Sequence, residues 1–137
     1  NNKLIAEFMG GTPSSVPNLI NLPQTRGDAN IHSVKGSELL PNGTYSVHRL
    51  NELEYHSSWD WLMPVIEKIE EIFIDDSNLT IKEHRYDFNI KHTQCEIYDY
   101  VKDCVVASGD MGSKILSTYV SILQFIIEYN IPNNKRT

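Results

Sequence analysis

The run Tyr55-His56-Ser57-Ser58-Trp59-Asp60-Trp61 gathers ring, hydroxyl and carboxylate chemistry in one place, with Arg49 just upstream. Indole and phenol faces offer flat area on which a base or another ring can stack, and each indole keeps a polar N–H for a partner. Arg49 could meet a phosphate or a carboxylate with its forked donors. The competing reading is structural: large aromatics fill cores, and both tryptophans would then fasten the start of a helix onto a sheet. The same run holds the residue types of a Ser-His-acid site. Such sites are assembled in space by separate elements, however, so adjacency in sequence carries no weight, and Ser57 and Ser58 read as helix caps.

Other combinations are weaker. His84, His92, Cys95 and Cys104 supply side chains that can bind zinc, yet their spacing matches no ligand-pair pattern, so no metal is expected. Gly10-Gly11-Thr12 lacks the lysine and the spacing of a phosphate-cradling loop. No nucleophile stands with its base and no carboxylate pair is aimed at one cleft by the pattern, so neither catalytic residues nor a cofactor are expected. The acidic stripe Glu67, Glu70, Glu71, Asp75 and Asp76 reads as the solvated face of an amphipathic helix; its sharper reading is a docking face for a basic partner.

Charge is placed unevenly. The chain carries a net −6, and residues 52–76 hold eight acids against the single base Lys68. An acidic flank of this kind repels phosphate backbones, which disfavours general nucleic-acid binding, and it suits a basic protein surface. With 137 residues, 40% apolar and 22% charged, the chain is long enough to bury one hydrophobic core without staples. Two cysteines are too few for a disulfide scaffold and read as reduced, buried thiols. The opening residues carry no signal-peptide pattern, and the most apolar stretch, residues 115–129, is too short to span a bilayer. The expected setting is therefore the cytosol, with no membrane role. Without secretion, the sequons at Asn42 and Asn78 carry no meaning.

The elements that must position these groups form an α+β pattern. Residues 3–9 read as a short helix with Leu4, Ile5 and Phe8 on one face, stopped by Gly10-Gly11. Four prolines and two glycines make residues 12–42 irregular or strand-and-turn, and residues 44–50 read as a strand. The central helix places Leu62, Val65, Ile66, Ile69, Ile72 and Phe73 at three- and four-residue steps; Pro64 interrupts it, so residues 59–63 form their own turn or the helix is kinked. Residues 79–107 read as an antiparallel meander: Leu79 and Ile81, then Tyr86, Phe88 and Ile90, then Cys95, Ile97 and Val101, then Val105. Asp87, Asn89 and Lys91 take the solvent side. Asp110 or Ser113 should cap a last helix over residues 114–130, which is apolar nearly all round and should be sandwiched. The expectation is one α+β domain over residues 1–132, an antiparallel meander packed with an amphipathic central helix and a buried C-terminal helix, with a polar tail at 133–137.

Two segments carry a resemblance: Asn2-Lys3-Leu4-Ile5-Ala6-Glu7-Phe8-Met9-Gly10, and the long run from His56 to Glu70 containing His56-Ser57-Ser58-Trp59-Asp60-Trp61-Leu62-Met63-Pro64. With the ending Phe125-Ile126-Ile127-Glu128-Tyr129-Asn130, they resemble an uncharacterised family of small bacteriophage and prophage proteins, especially of the Bacteroidetes group. The resemblance implies a phage accessory protein with no activity and no catalytic residues to transfer. Such proteins often disable host defence, which frames three expectations by analogy of origin. The first is a non-enzymatic sponge that sequesters a nucleotide-type immune signal through Arg26, Lys35, Arg49, Tyr55, His56, Trp59 and Trp61, with a homo-oligomer interface as one way to complete the site. The second is an acidic interaction module that inhibits a host defence protein through Glu67, Glu70 and Glu71. The third is a small enzyme acting on a nucleotide.

Overall fold

The computed structural model describes residues 1–14, 16–23, 38–40, 43–74 and 83–130, with only the backbone of residues 38–40 and 43–46. The architecture is α+β, and the chain divides into two compact units, Asn1–Trp61 and Leu62–Thr137. Among the described residues no helix is long and apolar enough to cross a membrane.

The first unit opens with helix α1, Asn2–Phe8, which buries Ile5 and Ala6. Gly10 sits at φ +95°, a left-handed conformation open to glycine at little cost, and so the helix stops where the sequence places its break. Four antiparallel strands follow: β1 (Thr12–Pro13), β2 (Leu19–Pro23), β3 (Glu38–Leu40) and β4 (Gly43–Arg49), in the order β1-β2-β4-β3. In β2, Ile20 and Leu22 are buried while their neighbours are not, the alternation of a sheet with one covered face. Ile20 pairs with His48 on β4, which puts that imidazole on the buried face as well. Strand β4 ends at Arg49, one residue short of the sequence expectation, because Leu50–Glu52 tighten into a 3-10 turn.

Helix α2, Trp59–Glu70, is one continuous helix with Pro64 inside it, rather than a separate turn followed by a helix. Val65, Ile66 and Ile69 are buried and Glu67, Lys68 and Glu71 are exposed, as the periodicity requires. The helix stops before Ile72 and Phe73, which the apolar spacing had assigned to it. The β-branched and aromatic residues 72–74 instead pair with residues 83–85: the Ile74 amide donates to the Glu83 carbonyl and the Arg85 amide to the Ile72 carbonyl, with a bridge between Phe73 and His84.

The meander of the second unit is β5 (Tyr86–Ile90), β6 (Gln94–Asp99) and β7 (Cys104–Asp110), antiparallel in that order. Tyr86 faces inward and Asp87, Asn89 and Lys91 face solvent. The expected strand at Leu79 and Ile81 lies outside the described residues. Val101 is not in a strand: Asp99 accepts the Val101 amide at 2.8 Å and the Lys102 amide at 3.3 Å, and Asp103 takes φ +56°, so the chain turns there and leaves Val101 53% exposed.

Helix α3, Lys114–Tyr129, begins at Ser113, whose hydroxyl accepts the Leu116 amide at 3.2 Å. It packs on β6 and β7 through Ser117, Thr118, Ser121, Ile122, Phe125 and Ile126, all buried. Small hydroxyl residues let the helix axis approach the sheet closely, and their donors return to backbone carbonyls: Ser117 to Thr93, Thr118 to Lys114, Ser121 to Cys95 and Ser117. Leu116 and Ile127 are exposed, so burial does not run all round this helix. Cys95 is buried, whereas Cys104 is exposed at the start of β7, contrary to the reading of both as buried thiols.

Candidate binding cleft

Of the residues expected at a nucleotide site, Tyr55 and Trp61 lie in the core of the first unit, 1% and 5% exposed. Their rings meet edge to face at 5.2 Å, and His48 packs on the same indole at 5.5 Å. Neither ring offers an open face for stacking. Trp59 is half-buried, and His56 is exposed, with its Nδ1 2.9 Å from the Asn2 side-chain amide, which also donates to the Leu53 carbonyl at 2.8 Å. Arg49 is well exposed, 3.5 Å from Glu52, and borders an open groove of about 560 Å³ with Val16, Pro17, Asn18, Leu19, Leu50 and Asn51. Arg26 and Lys35 lie outside the described residues.

A different cleft lies in the second unit. Glu70 from the end of α2, His84 from the bridge, Tyr86 and Asp87 from β5, and Tyr100 from the turn after β6 line a volume of about 420 Å³. Pairing of residues 72–74 with 83–85 is what carries His84 back to Glu70: its Nδ1 contacts the Glu70 main-chain carbonyl and its ring lies 5.0 Å from that of Phe73. Antiparallel pairing of β5 with β6 then brings Tyr100 to Asp87, and its hydroxyl donates to Asp87 Oδ2 at 3.3 Å.

Arg85, just before β5, and Asp99, the last residue of β6, tie the two strands together. Arg85 Nε and Nη2 each donate at 3.0 Å, to Oδ1 and Oδ2 of a carboxylate that is 1% exposed, and the guanidinium lies 5.1 Å over the Tyr86 ring. Burial works against the Asp99 charge, but hydrogen bonds from Arg85 and from the Val101 and Lys102 amides outweigh it, so its pKa is held below the ordinary aspartate value.

The electrostatics of the cleft are one-sided. Burial raises the Glu70 pKa, the charges of Asp87 and Glu67 raise it further, and His84 opposes them in part. The Asp87 charge, with burial and the hydrogen bond, also raises the Tyr100 pKa. Among the described residues the ion pairs are Arg49–Glu52 and Arg85–Asp99, and neither involves Glu70 or Asp87. Among the described residues no arginine or lysine lies within ion-pair distance of Glu70 or Asp87, an arrangement that suits a cationic group from outside. No group of three or more His, Cys, Asp or Glu side chains among the described residues is arranged to hold a metal ion.

Glu67 on α2 and Glu71 just after it are exposed and flank the cleft residue Glu70 in sequence, whereas Asp75 and Asp76 of the same stripe lie outside the described residues. Sequence reasoning put Tyr86 on the inward side of its strand and Asp87 on the solvent side, where both lie, and named His84 only as a possible zinc ligand; it did not bring them together as a cleft and did not single out Tyr100. Comparison with protein-family models, curated proteins and solved structures returns no match.

Proposed function

We propose that this chain is a non-enzymatic interaction module that meets a basic protein surface through the acidic side of α2 and the cleft at its end. One observation carries the reading: Glu70 and Asp87, from separate elements, border one cleft with no arginine or lysine of the described residues paired to either. Glu70 is half-buried and Asp87 exposed, and carboxylates placed so at a docking face steer encounter and exclude partners of the wrong charge. The resemblance to phage accessory proteins supplies the setting, in which the basic partner is a host defence protein and the module inhibits it.

The test is capture of host proteins by wild type and by the Glu67→Lys, Glu70→Lys, Glu71→Lys variant, followed by direct binding of the recovered protein in purified form. A basic partner held by wild type and lost by the variant supports the reading. Equal binding of the purified partner by both ends it.

A second reading keeps the sequestering of a nucleotide-type signal. The Arg49 groove favours it, with Asn18 and Asn51 as further polar groups along the same wall. Thermal melting with cyclic oligonucleotides and with cyclic ADP-ribose-type signals tests it, and an unchanged melting temperature with all of them removes it.

A further inference from the structure

We infer that the outer edge of β7 receives a second copy of this chain: the two β7 strands pair antiparallel into one continuous sheet, and α3 of each copy packs beside α3 of the other. Among the described residues the sheet ends at β7, which is paired with β6 on one side alone. An edge strand presents main-chain donors and acceptors that another strand satisfies, and proteins commonly guard such an edge with lysine, proline or a very short strand. β7 runs from Cys104 to Asp110 with neither lysine nor proline, and it carries no charge up to Gly109. A register shift opposite Ile97 and Tyr98 distorts its first half, so pairing falls to the part around Ser108. There the Ser108 amide donates to Gln124 Oε1 at 2.9 Å, a helix side chain standing where a partner strand would bring a carbonyl.

The helix over this edge supplies the second ground. Leu116, Val120, Gln124 and Ile127 share one face of α3 at steps of three and four residues, and Gln124 turns that face toward the edge of β7. Leu116 is 39% exposed, Ile127 55%, and Val120 is half-buried. A lone peptide strand would fill the edge and leave these side chains wet, and a lone helix would cover them and leave the edge unpaired. A second copy does both about one two-fold axis. The spacing fits: Ser121 donates to the Cys95 carbonyl of β6 at 3.0 Å, while a Cβ at Gly109 of β7 would fall 2.3 Å from the Ser117 carbonyl oxygen, so α3 straddles the two strands. With strands about 4.8 Å apart, helices seated this way would lie roughly 10 Å apart across the pair, close to the distance at which helices pack. The charges fit as well. The middle of α3, Ser117 to Ser121, stands over Gly109, and the exposed Lys114 and Glu128 are equally far in sequence from Ser121, so the same axis brings Lys114 of one copy to Glu128 of the other. β7 is the opposite edge of the sheet from β5, which carries Tyr86 and Asp87, so the acidic cleft of each copy stays open.

Sedimentation equilibrium of the full chain, with amide hydrogen exchange read at low and high protein concentration, tests this. A dimer should form, and the amides of residues 106–110 should gain protection as it does. Ile127→Glu, at an exposed site where circular dichroism should show the fold intact, should weaken the dimer about tenfold. Lys114→Glu should weaken it about fivefold, and adding Glu128→Lys to that variant should restore it. A monomer at every concentration would overturn the inference and leave the edge to a strand of another protein. A dimer whose newly protected amides lie outside β7 and α3, one indifferent to Ile127→Glu, or a charge exchange that restores nothing would overturn it too.

Discussion

Replacing Asp99 by Asn should destabilise the second unit by about 2–3 kcal/mol at neutral pH, because the side chain keeps its shape and loses the oxygen that holds half of Arg85. In the wild type, Oδ1 accepts Arg85 Nε and the Val101 and Lys102 amides, and Oδ2 accepts Arg85 Nη2. Asparagine can keep the Oδ1 bonds but sets its NH₂ against Nη2, donor against donor. Losing one charge-assisted bond costs about 1.5–3 kcal/mol, and breaking a fully buried pair costs about 3–5 kcal/mol. The Arg85 side chain is 30% exposed and can turn toward water, which keeps the cost in the lower part of that span. The depressed pKa of Asp99 fixes the pH window. The pair's contribution is present in full above the unfolded aspartate value, about 3.9, and is lost as pH falls through the lower folded value. The gap between wild type and variant should therefore close in strong acid. Urea unfolding followed by far-ultraviolet circular dichroism across a pH series reads both effects as midpoint shifts at constant slope. A cost under about 0.5 kcal/mol at neutral pH, or a gap that does not narrow with acid, would refute the reasoning.

Gly109→Ala should cost about 1–3 kcal/mol, since a Cβ there would fall 2.3 Å from the Ser117 carbonyl oxygen and force α3 off the sheet; thermal unfolding measures it. Trp61→Ala should lose about 3–5 kcal/mol, as expected for a large buried ring, whereas the half-buried Trp59→Ala should lose about 1 kcal/mol; urea unfolding separates them. Ser113→Ala removes the hydroxyl that accepts the Leu116 amide and should lower stability by about 1 kcal/mol, with amide exchange speeding up first at the start of α3.

The α+β class and the meander were legible because β5 alternates cleanly, with Tyr86 turned inward and Asp87 and Asn89 toward solvent. The sequence left Asp110 or Ser113 as the cap of the last helix; Ser113 takes it, because Asp110 is the last residue of β7. The end of α2 was misread: Ile72 and Phe73 continue the helical spacing, and only the distant residues 83–85 draw them into extended pairing. Local periodicity contains no information about that partner. The cleft was hidden for the same reason, as its members come from the end of a helix, a bridge, a strand and a turn and meet only after the strands pair. His48 and the trio Ser117, Thr118 and Ser121 defied the apolar pattern, since polar side chains were buried wherever they could fit or satisfy a backbone carbonyl. Helical spacing registers such residues as breaks in an apolar face and not as the contact itself.

Carbodiimide coupling, which joins a carboxylate to a lysine amine only while the two are in contact, tests the acidic docking face most directly. Applied to the chain in host extract and mapped by mass spectrometry, it should place intermolecular links on Glu67, Glu70, Glu71 or Asp87, and the links should fade as salt rises. Links confined to acids of the first unit, such as Glu7 or Glu54, or links indifferent to salt, would contradict it.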